Sequence, residues 1–243
     1  MKRADELFAF DNRPSSSALV SSTWGTTSGR EGTMLSVAGT QWGMVFTHQA
    51  AGTTVTVLGP ETRAAAAPVP EDAEFFGIAF TLGTFMPGHD MRRLVDGAVH
   101  VTADSPTSFR LDGGTWEVPG PGNADVFVDR LVRAGLLAHD PVVEAALAGD
   151  TAGLSPRSVE RRVARATGLT QGAIHRIRRA DAAVGMLARG LTPAEVAHRA
   201  GYADQPHLTR SLKHLVGRTP AQLAPPSDAP AVGLVQDSGT AAR

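Results

Sequence analysis

Residues Thr53–Leu58 alternate polar and apolar with a period of two, as a half-buried strand does. Further short runs of β-favouring residues stand at Met34–Val37, Gly43–Thr47, Phe75–Thr81 and Ala98–Thr102. Gln49-Ala-Ala-Gly52 and Gly59-Pro60 break the chain between them. Together these runs predict a mostly antiparallel β domain over residues 1–122 with one or two short helices, Met91–Val95 foremost. Gly113-Gly114 and Pro119–Gly122 read as loops, the second as the domain's end.

After Pro121 the spacing changes. Val126, Leu131, Val132, Leu136 and Leu137 recur at helical intervals and predict a connecting helix within 123–139. From 140 to 224 nearly every segment reads as helix. Asp140-Pro141, Ser155-Pro156, Thr192-Pro193 and Thr219-Pro220 each set a capping side chain before a proline. The cap accepts from an orphan N–H, and proline lacks the donor that would go unmet. Thr192 and Glu195 also have capping-box spacing. These signals predict helices over about 141–149, 156–166, 171–189, 193–199, 205–216 and 220–223. Residues 225–243, rich in Pro, Ser, Ala and Gly, predict a disordered tail.

Two stretches read as helix-turn-helix units. In the clearer one Val196, Ala197 and Ala200 form the apolar side of a short helix, and Gly201 supplies a turn. Tyr202 plugs the turn and Asp204 caps the next helix. Leu208, Leu212 and Leu215 share one face of that helix; Gln205, His207, Arg210, Lys213 and His214 lie off it. The second stretch pairs a helix bearing Val143, Ala146 and Leu147 with one bearing Val159, Val163 and Ala166, across Gly149–Gly153. The outer face of its latter helix carries Arg157, Glu160, Arg161 and Arg165. Between the units, Gln171–Arg189 is one amphipathic helix of about 28 Å. That length suits two readers about one turn of duplex apart. The fold class is therefore α+β: a mostly antiparallel β domain, then an all-α domain with two helix-turn-helix units joined by a linker helix.

Charge sharpens this picture. The net charge of −1 conceals an asymmetry: residues 1–149 hold 10 basic against 17 acidic residues, and residues 150–224 hold 12 against 5. A basic segment on an acidic chain is either a polyanion-binding module or a solvated face. The chain has no cysteine, which excludes disulfides, thiolate metal sites and cysteine nucleophiles, and fits a reducing cytosol. The start, MKRADELFAFDNRPSSS, has no apolar stretch behind its basic pair, so no secretory leader is expected. No run approaches the length of a membrane span. The expected location is cytoplasmic.

The stretches SPRSVERRVARATGLT and RADAAVGMLARGLTPAEVAHRAGYADQPHLTRSLKHLVGRTPAQL resemble the AraC family of transcription regulators. The resemblance covers about Asp140 to Leu223, with Glu195-Val-Ala, Ala200-Gly-Tyr202, Asp204, Leu208, Arg210, Lys213 and Gly217–Pro220 its most diagnostic positions. Leu212 and Val163 stand where the family usually has Phe. The turn before Ser155 is about one residue longer, and Pro206 replaces a small polar residue. The resemblance implies a sequence-specific DNA-binding regulator with double-stranded DNA as partner. It implies base contacts from Arg157, Glu160, Arg161, Gln205, His207, Thr209 and Arg210. Arg, Gln and Glu suit guanine, adenine and cytosine edges respectively. Arg162, Arg165, Arg178, Lys213 and Arg218 are the candidates for phosphate contacts, which position without reading. A small-molecule effector, RNA polymerase and a second copy of the chain are the further partners such a regulator implies.

In the β domain, Trp42, Phe46 and Phe80 are candidates to line an effector pocket, against the plainer reading that they fill the core. His48, His89 and His100 lack metal-ligand spacing, and a satisfied or exposed histidine is the expectation for each. No phosphate-loop or dinucleotide fingerprint is present, no nucleophile elbow is found, and no cofactor is expected. The protein is read as a non-enzyme. The alternatives are an enzyme-like or effector-free β domain docked on DNA by the helices, and a basic module for an acidic protein partner.

Overall fold

The structure is a computed structural model that describes residues 11–151 and 153–225. The tail expected over 225–243 lies, apart from Pro225, outside the described residues. Strands β1 (Asp11–Arg13), β2 (Val20–Ser28), β3 (Gly32–Ser36), β4 (Gly43–Gln49), β5 (Gly52–Leu58), β6 (Ala65–Val69) and β7 (Ala73–Phe80) come first. β8 (Thr84–Phe85) and a 3₁₀ helix (Met91–Leu94) follow, then β9 (Ala98–Ser105), β10 (Ser108–Leu111) and β11 (Gly114–Glu117). One sheet runs in the order β1-β2-β7-β4-β5-β9-β10-β11, with every neighbouring pair antiparallel. β3 and β6 form a separate two-stranded sheet.

The five expected strand regions are all present. The loop expected at Gly113-Gly114 is a tight turn between β10 and β11. They are a hairpin closed by Asp112-Gly113, whose φ values of 47° and 78° are both left-handed. That is the geometry a two-residue hairpin turn requires, because its twist matches that of the strands.

Helix α1 (Ala124–Arg133) lies against the sheet. Its buried residues are Ala124, Phe127, Val128 and Leu131. The Phe127 ring meets Phe46 edge-on at 5.9 Å and Trp116 at 6.3 Å. This corrects the expected helix face: Val126 and Val132 are 60% and 40% exposed. The chain then forms the two-residue strand β12 (Ala138–His139), paired with β8, where helix was expected. Packing is thus continuous across the expected boundary at 122.

The helical part comprises α2 (Val142–Leu147), α3 (Pro156–Thr167), α4 (Gln171–Ala188), α5 (Pro193–Arg199), α6 (Gln205–Leu215) and α7 (Pro220–Leu223). Ser155, Thr170, Thr192 and Asp204 cap α3 to α6 by accepting backbone N–H groups. Glu195 reaches back to the Thr192 N–H at 2.9 Å, completing the capping box. One apolar core runs from Phe46 and Phe80 in the sheet through Val143 and Val159 to Leu208 and Leu212. No helix among the described residues is long and apolar enough to cross a membrane.

Candidate nucleic-acid interface

Each helix pair buries one side of its second member. α3 buries Val159, Val163 and Ala166; α6 buries Leu208, Leu212 and Leu215. Leu212 and Val163 are fully buried, so the smaller apolar residues keep the packing role of the larger ring. Arg157, Glu160 and Arg161 on α3 are exposed, as are Gln205, Arg210 and Lys213 on α6. Pro206 falls in the first turn of α6, where its missing donor leaves no helical bond unmade. α4, at 18 residues or about 27 Å, joins the two units. It buries Ile174, Ile177 and Leu187 together with Ala173, Ala180 and Ala183.

Residues 149–224 match the family model described as a helix-turn-helix domain. The match spans about a third of the chain. It supports an AraC-like helix-turn-helix domain and a DNA-binding transcription regulator. No curated protein and no solved structure matches the chain.

The helix-turn-helix residues divide once their contacts are followed. Arg162, expected on phosphate, instead forms a two-pronged ion pair with Asp140. Its Nε and one Nη each donate at 2.8 Å to a different carboxylate oxygen. Arg165 is exposed, but its guanidinium lies 5.2 Å over the Phe85 ring of β8. Arg162 is thereby drawn to the start of α2 and Arg165 to the β domain, pulls that local spacing on α3 does not reveal. His207 is half-buried and meets the Tyr202 ring edge-on at 5.2 Å. Thr209 donates its hydroxyl to the Gln205 carbonyl at 3.0 Å, so that hydroxyl is spent on its own helix. Arg178 is exposed on α4, and Arg218 is half-buried just before α7.

Sequence reasoning passed over Arg179. From α4 its guanidinium stacks 4.6 Å over Tyr202, and an Nη donates to the Gly201 carbonyl at 3.4 Å. It pins the turn between α5 and α6 to the linker helix. The available signal was the single tyrosine in the chain, placed at a turn that an arginine of α4 can reach.

Burial opposes ionisation of Asp140. The hydrogen bonds from Arg162, the Val142 N–H and the neighbouring positive charge together outweigh it and hold the carboxyl below its usual value. Asp140 consequently both starts α2 and anchors α3.

The aromatic candidates for an effector pocket are packed on neighbours. Trp42 stacks on Phe80 at 4.1 Å and donates its indole N–H to the Thr84 carbonyl at 2.6 Å. Phe46 is enclosed by Phe76, Phe109 and Phe127. The two cavities described lie elsewhere, one at the ends of β2, β4 and β7, the other beside Asn123–Val126. The plainer core reading is the one that this packing supports. His48 and His100 pair with the hydroxyls of Thr53 and Thr56, and His89 with the Asp112 carboxylate.

Proposed function

We propose that the protein is a sequence-specific, AraC-type transcription regulator whose helices α3 and α6 enter successive major grooves on one side of a duplex. The observation that carries this reading is the pair of exposed polar faces. Arg157, Glu160 and Arg161 lie on one helix and Gln205 and Arg210 on the other, each helix buried behind and joined by a rod of about 27 Å. These side chains offer the forks and acceptors that base edges need. The basic balance of residues 150–224 supports attraction to the backbone. The protein acts by binding, in the cytoplasm, and Trp42, Phe46 and Phe80 serve as core.

Selection from a pool of random duplexes tests the reading. The expected result is a bipartite motif with half-site centres about 10–10.5 base pairs apart, bound less tightly as salt rises. Recovery of no motif overturns it and favours an acidic protein partner.

A further inference from the structure

We infer that residues 59–64, together with Ala38, form a positioning strut that fixes the second reader helix relative to the first, so that the N-terminal domain sets the half-site spacing. The inference rests on reading α3 and α6 as DNA readers.

One end of the strut holds α6. The last carbonyls of a helix have no partner within it. Here Leu215 O accepts from the Ala38 N–H at 2.7 Å, and His214 O accepts from the Ala64 N–H at 2.9 Å. The N-terminal domain thus supplies donors for the end of α6. Gly217, just beyond, lies so close to this end that an added Cβ would stand 3.0 Å from Leu35 and 3.1 Å from Ala64.

The middle is tied by backbone. Gly39 and Glu61 exchange N–H···O bonds at 2.9 and 3.0 Å, joining the two segments that cap α6. The Ser36 hydroxyl donates to the Glu61 carboxylate.

The other end reaches α3. Gly59 N–H donates to Gly97 O at 3.0 Å, and Asp96 N–H donates to Pro60 O at 2.9 Å. The Asp96 carboxylate accepts from both the Thr62 N–H and the Thr62 hydroxyl at 2.6 Å. Asp96 holds a left-handed φ of 55°, uncommon for a residue with a side chain. Its two bonds to Thr62 account for the choice. Gly59 backs onto the Leu94 carbonyl so closely that a Cβ would overlap it. Leu94 ends the 3₁₀ helix, whose Met91 carbonyl meets Gly168 at the end of α3.

The linker helix packs on both units and gives one connection between them. A second connection, from α3 through the 3₁₀ helix and the strut to α6, closes a ring and further restricts twist and splay between the two units. Its joints are mostly backbone hydrogen bonds, which have little rotamer freedom to yield.

Asp96→Gly in the full chain tests this, because glycine accepts the left-handed backbone and removes the carboxylate. Two quantities are read: amide exchange at Ala38 and Ala64, and affinity for the selected half-sites respaced one base pair at a time. In Asp96→Gly both amides should exchange about tenfold faster. The preference for the best spacing over its neighbours should also shrink by about tenfold. Asp96→Asn, which keeps an acceptor, should behave like wild type. Thr62→Val replaces Asp96→Gly if the latter melts early. Faster exchange with an unchanged spacing profile would overturn the strut while leaving DNA reading intact. Absence of any bipartite motif in the wild type would instead remove the reading beneath it, and the strut's role with it.

Discussion

The two nitrogens that Arg162 presents to Asp140 span 22 residues of chain and fasten α3 to the start of α2, each at 2.8 Å. A charged side chain on α3 thereby serves architecture. Arg162→Ala should lower the urea midpoint and leave the salt dependence of DNA binding unchanged. Asp140→Ala should do more, because it also removes the acceptor for the Val142 N–H, itself worth about 1 kcal/mol. A variant pair with unaltered midpoints would show the ion pair to be idle.

The same contact carries a pH signature. The Asp140 carboxyl titrates lower in the folded chain than in the unfolded one. The unfolded state therefore takes up the proton first, and stability falls as pH drops from the ordinary carboxylate value through the depressed one. Above that window the contribution is complete. Denaturation of wild type and Asp140→Asn across the acid range should show a smaller acid loss in the variant.

On the reader faces, Arg161→Ala and Arg210→Ala should each weaken binding to the selected site by about 1–3 kcal/mol and relax one base position. Lys213→Ala should weaken all sequences alike and reduce the salt slope by about one. Gel shifts at several salt concentrations separate the two behaviours. Two arginine variants that bind like wild type would rule out these faces as readers.

Gly168 offers a test of the seam between the halves. Its φ is 74° and an added Cβ would stand 2.6 Å from the Met91 carbonyl. Gly190 has a φ of 86° with open space around it. Alanine at either position meets the left-handed penalty of about 1–2 kcal/mol. Only Gly168→Ala should add a steric term, so its denaturation midpoint should fall further than that of Gly190→Ala. Equal losses would mean that the seam yields freely.

On α1 the contrast is between neighbours. Phe127→Ala should destabilise by about 3–5 kcal/mol, as a buried ring does. Val126→Ala should stay within about 0.5 kcal/mol. Thermal melts of both variants decide which face of α1 is the core.

The helical third was legible because its signals are local. Ser155, Thr192 and Asp204 cap helices by reaching three residues along the chain, so sequence spacing is itself the geometry. The sheet was less legible where its buried face is polar. β2 buries Thr23 on one face and Thr26 and Ser28 on the other, and a hydrophobic pattern has nothing there to find. On α1, weight on the valines at 126 and 132 hid Phe127, whose partners Phe46 and Trp116 come from distant strands. Gly113-Gly114 marks a loop in the sequence, and the neighbouring Asp112-Gly113 closes it as a hairpin turn. Arg162, Arg165 and His207 all sit on helix faces where spacing is uninformative. What each of them meets is a group outside its own helix, at Asp140, Phe85 and Tyr202.

The apolar core shared by the sheet and the helices has a consequence for engineering. The two halves are not interchangeable cassettes. Cutting the chain near residue 140 would strip Met91, Leu94 and Phe85 from their partners and leave a greasy scar on each fragment. A chimera that grafts these helices onto a foreign sensor must carry the 3₁₀ helix with them, or redesign the scar as solvent-facing surface.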